Sequence, residues 1–150
     1  MLIDGVEYHI NILILLMENE IETTIHTVET LLEGIEDGVT VSILLNGGRL
    51  KELHELFSKS GCIRYYESEI NLGVAGGRNY LLQTAECKSS DIVMILDNDV
   101  VPPMDYVRNL ATFLIKQKDA GIVGAIVADI GNIPYRLVVN HYGDTGFWGN

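Results

Sequence analysis

Short, branched apolar runs alternate with longer amphipathic segments along most of this chain. The first run, residues 10–17, is too short for a typical helix and is rich in Ile and Leu, as in a strand covered on both faces. The next segment carries apolar residues every three or four positions as far as Gly34, which is the spacing of one helix face. The same pair of patterns returns in residues 39–45 and 50–57. Strands alternating with helices favour right-handed crossovers, so we predict an α/β fold with a parallel sheet and helices on both faces.

The alternation continues through the second half of the chain and then fades. Further strands are predicted at residues 62–66, 92–96 and 122–128, and further helices at residues 75–85 and over the apolar stripe of residues 104–114. Beyond residue 128 glycines interrupt the pattern, and only residues 137–139 resemble a strand. A chain of 150 residues with five predicted strands has the size of one domain.

The charge balance excludes two classes of partner. Acidic residues number 21 against 10 basic ones, so the formal net charge is -11 and the chain lacks the basic field that attracts nucleic acid or anionic lipid. No apolar run approaches the roughly 18–20 residues that a membrane span requires. The N-terminal residues show no basic segment followed by an apolar one, so we expect a cytoplasmic protein.

Cys62 and Cys87 are too few for a disulfide framework and are predicted to be free thiols.

Two carboxylates follow the predicted strand at residues 92–96. Ligands of open parallel sheets bind beyond the carboxyl ends of the strands, which is where Asp97 and Asp99 lie. Carboxylates so spaced can share a hard divalent cation whose remaining ligands are waters and pyrophosphate oxygens. The alternative is that one of them caps the following helix or forms a turn.

A glycine-rich segment, residues 71–80, precedes the predicted helix at 75–85. Gly73, Gly76 and Gly77 allow close backbone approach, and Arg78 adds a cation near the helix start, so the segment can receive phosphate. Its glycine spacing fits neither the dinucleotide fingerprint nor the P-loop. Taken alone, the segment is better explained as a glycine turn beside a surface arginine.

Taken together, the two motifs resemble those of the GT-A nucleotide-sugar glycosyltransferases of family 2. The segment N-x-G-x-A-x-x-R-N at 71–79 precedes a strand that ends in D-x-D at 97–99, and Asn-Glu at 19–20 follows the first strand as in that family. The resemblance extends over about residues 10–128. It implies a Rossmann-like, mostly parallel GT-A sheet, a Mn²⁺ or Mg²⁺ cofactor, a nucleoside-diphosphate sugar donor, and inverting transfer to an acceptor hydroxyl.

The resemblance also implies roles for individual residues. Asp97 is expected near the ribose, Asp99 on the metal that holds the diphosphate, and the segment from Asn71 to Arg78 in the donor pocket. The predicted donor-pocket residues are Glu20, Asn46, Asn71, Gly73, Gly76, Arg78 and Asp97. The predicted metal ligands are Asp97, Asp99 and His141.

The chain departs from the family pattern in two places. Many relatives carry an acidic residue at the end of the second strand, where this chain offers only Asn46 as a polar side chain, so the base of the donor stays open. We expect residues 1–150 to form the nucleotide-sugar-binding domain and to lack part of the acceptor-binding region after about residue 128. Asp129, His141 and Asp144 are the candidates there for a general base or a third metal ligand, although the glycines around residues 141–144 also suit a polar turn.

Two other functions remain open from the sequence. A non-catalytic or truncated nucleotide-binding or interaction module would keep the fold without turnover, which Leu45 and the short tail favour. A nucleotidyltransferase is a weaker alternative, because the glycine- and lysine-rich loop of such enzymes is absent after Met17. The sugar, the acceptor and the oligomeric state stay open, and the protein could be a homo-oligomer.

Overall fold

The computed structural model describes residues 1–125, which fall in two compact units divided after Met104. The first unit opens with a short antiparallel pair, β1 (Leu2–Ile3) and β2 (Val6–Glu7), joined at Asp4-Gly5. Four parallel strands then form the main sheet in the order β5-β4-β3-β6. Their bounds are β3 (Ile10–Leu16), β4 (Val39–Asn46), β5 (Ile63–Ser68) and β6 (Ile92–Leu96).

Helices follow the strands as the alternating pattern predicts. The first unit contains α1 (Ile21–Glu33), α2 (Lys51–Phe57), α3 (Gly73–Leu82) and α4 (Ala85–Lys88), and a 3₁₀ turn (Glu18–Glu20) leads into α1. In the second unit the structure describes α5 (Tyr106–Lys116). The chain is therefore α/β, with a parallel sheet flanked by helices, as predicted.

The core lies around the two central strands. Six of the seven residues of β3 are buried, because the strand has a neighbour on each side and apolar residues that alternate between the two faces. The helix α3 packs on β3 and β4. One compact cluster combines Leu13, Leu44, Leu81 and Cys87.

A hydrogen bond joins α4 to β5 at the edge of this core. The Tyr66 hydroxyl donates to the Glu86 carboxylate over 2.6 Å. Burial, together with this bond, raises the pKa of Tyr66 to about 12, and the same bond lowers the pKa of Glu86. The pair therefore holds a neutral phenol against a charged carboxylate at neutral pH.

Four of the five strands predicted from the sequence are present, with ends shifted by two residues at most. The prediction of a fifth strand at residues 122–128 is wrong for residues 122–125, which are not in a strand, and the other three lie outside the described residues. Ile122 is 74% exposed there, and glycine at positions 121 and 124 weakens any strand. The suggested strand at residues 137–139 also lies outside the described residues.

Two elements of the first unit differ from the prediction. The pair β1–β2 was not predicted, although Asp-Gly is a common two-residue hairpin turn. The helix predicted at residues 75–85 begins at Gly73 and ends at Leu82. Thr84 then caps the next helix, α4, by accepting the N–H of Cys87.

Cys62 and Cys87 are free thiols, as predicted. Across residues 1–125 no helix has the length and apolar character needed to cross a bilayer.

Candidate functional site

A cleft of about 330 Å³ opens at the carboxyl ends of the central strands, within the first unit. The register of the sheet explains its position, because Leu16 pairs with Leu45 and Ile14 pairs with Leu96, so three strands end close together. The chain that follows each strand therefore delivers its side chains to one place. The polar residues that line the cleft are Glu20, Asn46, Asn71, Arg78, Asp97 and Asn98.

Asn46, the last residue of β4, fixes the glycine-rich segment. Its side chain is only 3% exposed, and its Oδ1 accepts the Leu72 N–H over 2.8 Å. Its Nδ2 donates to the Gly73 carbonyl at 3.2 Å and to the Asn71 Oδ1 at 3.3 Å. The amide thus supplies partners for backbone groups at the start of α3, and both of its polar atoms are engaged within the protein.

The first turns of α3 lie unusually close to the sheet. A Cβ atom on Gly77 would stand 2.5 Å from the Cδ2 of Leu15, so glycine allows the helix to approach β3. Asn71 Oδ1 also accepts the Gly73 N–H over 2.8 Å, which closes a local turn before the helix. Arg78 directly follows Gly77 in the helix and lines the cleft.

Arg78 and Asp97 form an ion pair across the cleft. The Arg78 Nη2 donates to the Asp97 Oδ1 over 2.9 Å, with 34% of the arginine side chain and 67% of the aspartate side chain exposed. The pair joins the glycine-rich segment to the D-x-D loop, two motifs that lie 19 residues apart in the chain. Because both groups are partly solvated, an incoming anion or cation can compete for them at modest cost.

Asn98, the middle residue of the D-x-D loop, is hydrogen-bonded to the start of α1. Asn98 Nδ2 donates to the Glu20 Oε2 over 3.0 Å and to the Thr24 Oγ1 over 3.1 Å. Asn98 is half-buried, whereas Asp97 and Asp99 on either side of it are exposed. The loop therefore anchors its central amide and presents its two carboxylates to solvent.

The two carboxylates suit a hard cation that brings further ligands with it. Within residues 1–125, no three His, Cys, Asp or Glu side chains are grouped so that they could hold a metal ion by themselves. Magnesium is commonly held by one or two carboxylates together with waters and substrate phosphates. Asp97 and Asp99 are therefore the two side chains of the D-x-D loop that could hold such an ion, with water and phosphate oxygens as its other ligands.

A comparison with protein families covers both of these motifs. The sequence model of glycosyl transferase family 2 matches residues 13–146, which include both the glycine-rich segment and the D-x-D loop. The chain belongs to glycosyl transferase family 2. No curated protein matches it at a significant level.

Six of the residues predicted for the donor pocket of this family 2 protein line one cleft: Glu20, Asn46, Asn71, Gly73, Arg78 and Asp97. Gly76 and Asp99 are not part of that lining; Gly76 lies inside α3, and Asp99 is exposed two residues beyond Asp97. The roles of all eight residues stay predictions. Asp129, His141 and Asp144 lie outside the described residues.

Sequence reasoning missed Asn98, Thr24 and Thr27. The D-x-D pattern draws attention to the outer carboxylates and leaves the middle residue unassigned. A signal was present in α1, because Glu20, Thr24 and Thr27 recur at steps of four and three and therefore share one side of the helix. Both threonines are buried, at 0% and 1% exposure, which periodicity alone could not separate from the apolar stripe beside them.

Proposed function

We propose that this family 2 glycosyltransferase binds a nucleoside-diphosphate sugar in the cleft and transfers the sugar to an acceptor hydroxyl with the help of Mn²⁺ or Mg²⁺. The observation that supports the proposal most is the Arg78–Asp97 contact, which brings the glycine-rich segment and the D-x-D loop to one cleft. Either motif alone has a common structural explanation. They meet at the carboxyl end of a parallel sheet, which is where open α/β sheets bind their ligands.

In this proposal the carboxylates of Asp97 and Asp99 hold the metal, and Asp97 also lies near the ribose. When bound, the divalent cation would offset the negative charge that develops on the leaving diphosphate. Arg78 pairs with a diphosphate oxygen through its guanidinium, and the amino-terminal end of the α3 helix dipole adds partial positive charge. These groups stabilise the leaving diphosphate more as the glycosidic bond breaks, which favours the transition state over the bound donor.

Asn46 acts in this scheme by holding the glycine-rich segment, since its Oδ1 and Nδ2 already contact Leu72 and Gly73. It replaces the acidic side chain that many relatives use toward the base. We therefore propose that the nucleobase of the donor is recognised less strictly here than in relatives with a carboxylate at this position. We propose that transfer inverts the anomeric carbon. The general base that deprotonates the acceptor hydroxyl is a carboxylate or an imidazole, and its candidates are Asp129, His141 and Asp144.

Isothermal calorimetry tests the metal assignment. Nucleoside diphosphates differing in base are titrated into the protein in Mn²⁺ and in EDTA. We expect at least one of them to bind about tenfold more tightly with the metal, because the cation bridges two anions that otherwise repel each other. Asp99→Ala should remove this difference, because it deletes one of the two carboxylate ligands.

Asp37→Ala is the matched control for this experiment. Asp37 is also an exposed aspartate, but it precedes β4 at the amino end of the sheet, away from the cleft. The control should keep the full effect of the metal. Equal binding of every diphosphate in Mn²⁺ and in EDTA by the unmodified protein would contradict the metal assignment, and metal-dependent binding without sugar transfer would favour a non-catalytic module.

A further inference from the structure

The D-x-D loop is fastened to α1 by a closed set of hydrogen bonds, which we call the α1 clamp: Glu20, Thr24 and Thr27 of the α1 region with Asn98 of the loop. Asn98 Nδ2 uses its two hydrogens on the Glu20 carboxylate and the Thr24 hydroxyl. The Thr24 hydroxyl in turn donates to the Glu20 carbonyl over 2.8 Å. Each donor in this ring therefore has an acceptor.

Thr27 extends the clamp to the backbone of the loop. Its Oγ1 lies 2.9 Å from the Asn98 carbonyl oxygen and 2.8 Å from the Val100 carbonyl oxygen, so its single hydrogen is shared between two carbonyl groups on either side of Asp99. The contacts join residues more than 70 positions apart in the chain. They fix the backbone on either side of Asp99, although Asp99 itself is exposed.

The two threonines of the α1 clamp are excluded from solvent. Thr24 and Thr27 are 0% and 1% exposed, so water does not reach them to replace a lost bond. Removing the Thr27 hydroxyl would leave two carbonyl groups of the loop without this donor, in a place where desolvation makes the loss costly. The loop would then have to move toward solvent to recover hydrogen bonds.

We propose that the α1 clamp is a positioning device that sets the two carboxylates of the D-x-D loop for the metal-bound diphosphate. The inference rests on the proposed function, because it assigns to Thr27 and Asn98 an effect on the same metal-dependent binding. Asp97 and Asp99 can meet one cation together only when the loop between them keeps its shape. Groups that orient metal ligands in this way typically change metal affinity by about 10–100-fold when they are removed.

The principal test is Thr27→Val, which keeps the shape of the buried side chain and deletes its hydroxyl. Binding of a nucleoside diphosphate is measured by calorimetry in Mn²⁺ and in EDTA. We expect the advantage given by Mn²⁺ to fall about tenfold in the variant, whereas binding in EDTA stays within about twofold. Thr27→Ser, which keeps the hydroxyl, should restore most of the metal effect.

Thr30→Val is the matched control. The Thr30 hydroxyl also lies on α1, but it donates to the His26 carbonyl within the helix and does not bond to the loop. The same change of side chain at this position should leave the metal effect at the level of the unmodified protein. If Thr27→Val and Thr30→Val lowered the advantage given by Mn²⁺ equally, the effect would come from a less stable helix, and the inference would be overturned.

Asn98→Ala provides a second route if Thr27→Val does not fold. It removes the anchored amide from the loop, keeps every side chain of α1, and should also lower the advantage given by Mn²⁺. Because Asn98 lines the cleft, this advantage is expressed as the ratio of the affinities in Mn²⁺ and in EDTA for the same variant. If the unmodified protein shows the metal effect and the folded clamp variants retain it, the inference is wrong while the proposed function stands. If the unmodified protein shows no metal effect, the proposed function fails first and the clamp loses its role with it.

Discussion

Arg78 has two possible partners, the Asp97 carboxylate that it contacts and the diphosphate that we propose as ligand. Its guanidinium has five N–H donors, of which the contact with Asp97 uses the Nη2 group. With about a third of the side chain exposed, the arginine can retain Asp97 and still donate to an anion in the cleft. The residue therefore connects phosphate recognition to the position of one metal ligand.

Arg78→Ala should consequently weaken nucleoside diphosphate binding much more than nucleoside binding. We expect a loss of about tenfold for the diphosphate, roughly 1.4 kcal/mol, and less than about twofold for the nucleoside, since only the diphosphate carries the charge. Calorimetry with both ligands measures the two losses. The control is Arg49→Ala, which removes an exposed arginine that pairs with Glu69. Equal losses for both ligands would assign Arg78 a general structural role.

At the scale of single residues, the charged side chains of the site could be predicted from the sequence, whereas the polar side chains that bond to their loops could not. Asp97 and Arg78 were identified because their motifs are local patterns of residue types. The contacts of Thr27 with Asn98 and Val100 join segments more than 70 residues apart and require the packed position of α1. The engagement of both polar atoms of Asn46 likewise depends on where the glycine-rich segment lies in space.

Among the elements, the turn after β4 is a constrained connection near the cleft. Gly47 has a φ of 105°, and a Cβ atom there would lie 3.2 Å from the backbone nitrogen of Asn71. Its N–H donates to the Ser68 carbonyl over 2.9 Å, which links the end of β4 to the end of β5. A side chain at this position would therefore strain the turn and press on the glycine-rich segment.

We expect Gly47→Ala to lower the free energy of unfolding by about 1–3 kcal/mol, because it combines backbone strain with this close contact. Urea denaturation followed by circular dichroism measures the change. Gly61→Ala is the matched control, because a Cβ atom on Gly61 meets no heavy atom within 4 Å and Gly61 is not among the residues with positive φ. A loss no larger at Gly47 than at Gly61 would contradict the constraint.

The elements themselves were largely predictable. Branched, largely apolar runs define β3 and β4 because the central strands of a parallel sheet need apolar side chains on both faces. The strand β6 has the same apolar pattern, although it lies at the edge of the sheet and exposes Val93 and Ile95. The same reasoning was wrong for residues 122–125, because an apolar run becomes a strand only where another strand pairs with it. The short pair β1–β2 was missed because two-residue strands carry almost no periodicity.

For the molecule as a whole, acidity and the proposed ligand must be reconciled. The chain carries a formal net charge of -11, and a nucleoside-diphosphate sugar is also an anion, so long-range electrostatics oppose binding. Arg78 brings one positive side chain to the cleft, beside the carboxylates of Glu20 and Asp97. A divalent cation bound together with the diphosphate would compensate this repulsion locally, which is why metal dependence is central to the account.

The most direct test is a crystal structure of the protein with Mn²⁺ and a nucleoside diphosphate, with anomalous data that locate the manganese. We predict the diphosphate in the cleft and an anomalous peak within about 2.0–2.6 Å of a carboxylate oxygen of Asp97, of a carboxylate oxygen of Asp99 and of a diphosphate oxygen. A diphosphate bound elsewhere on the molecule would contradict the account. So would a diphosphate in the cleft with no manganese between it and the D-x-D loop.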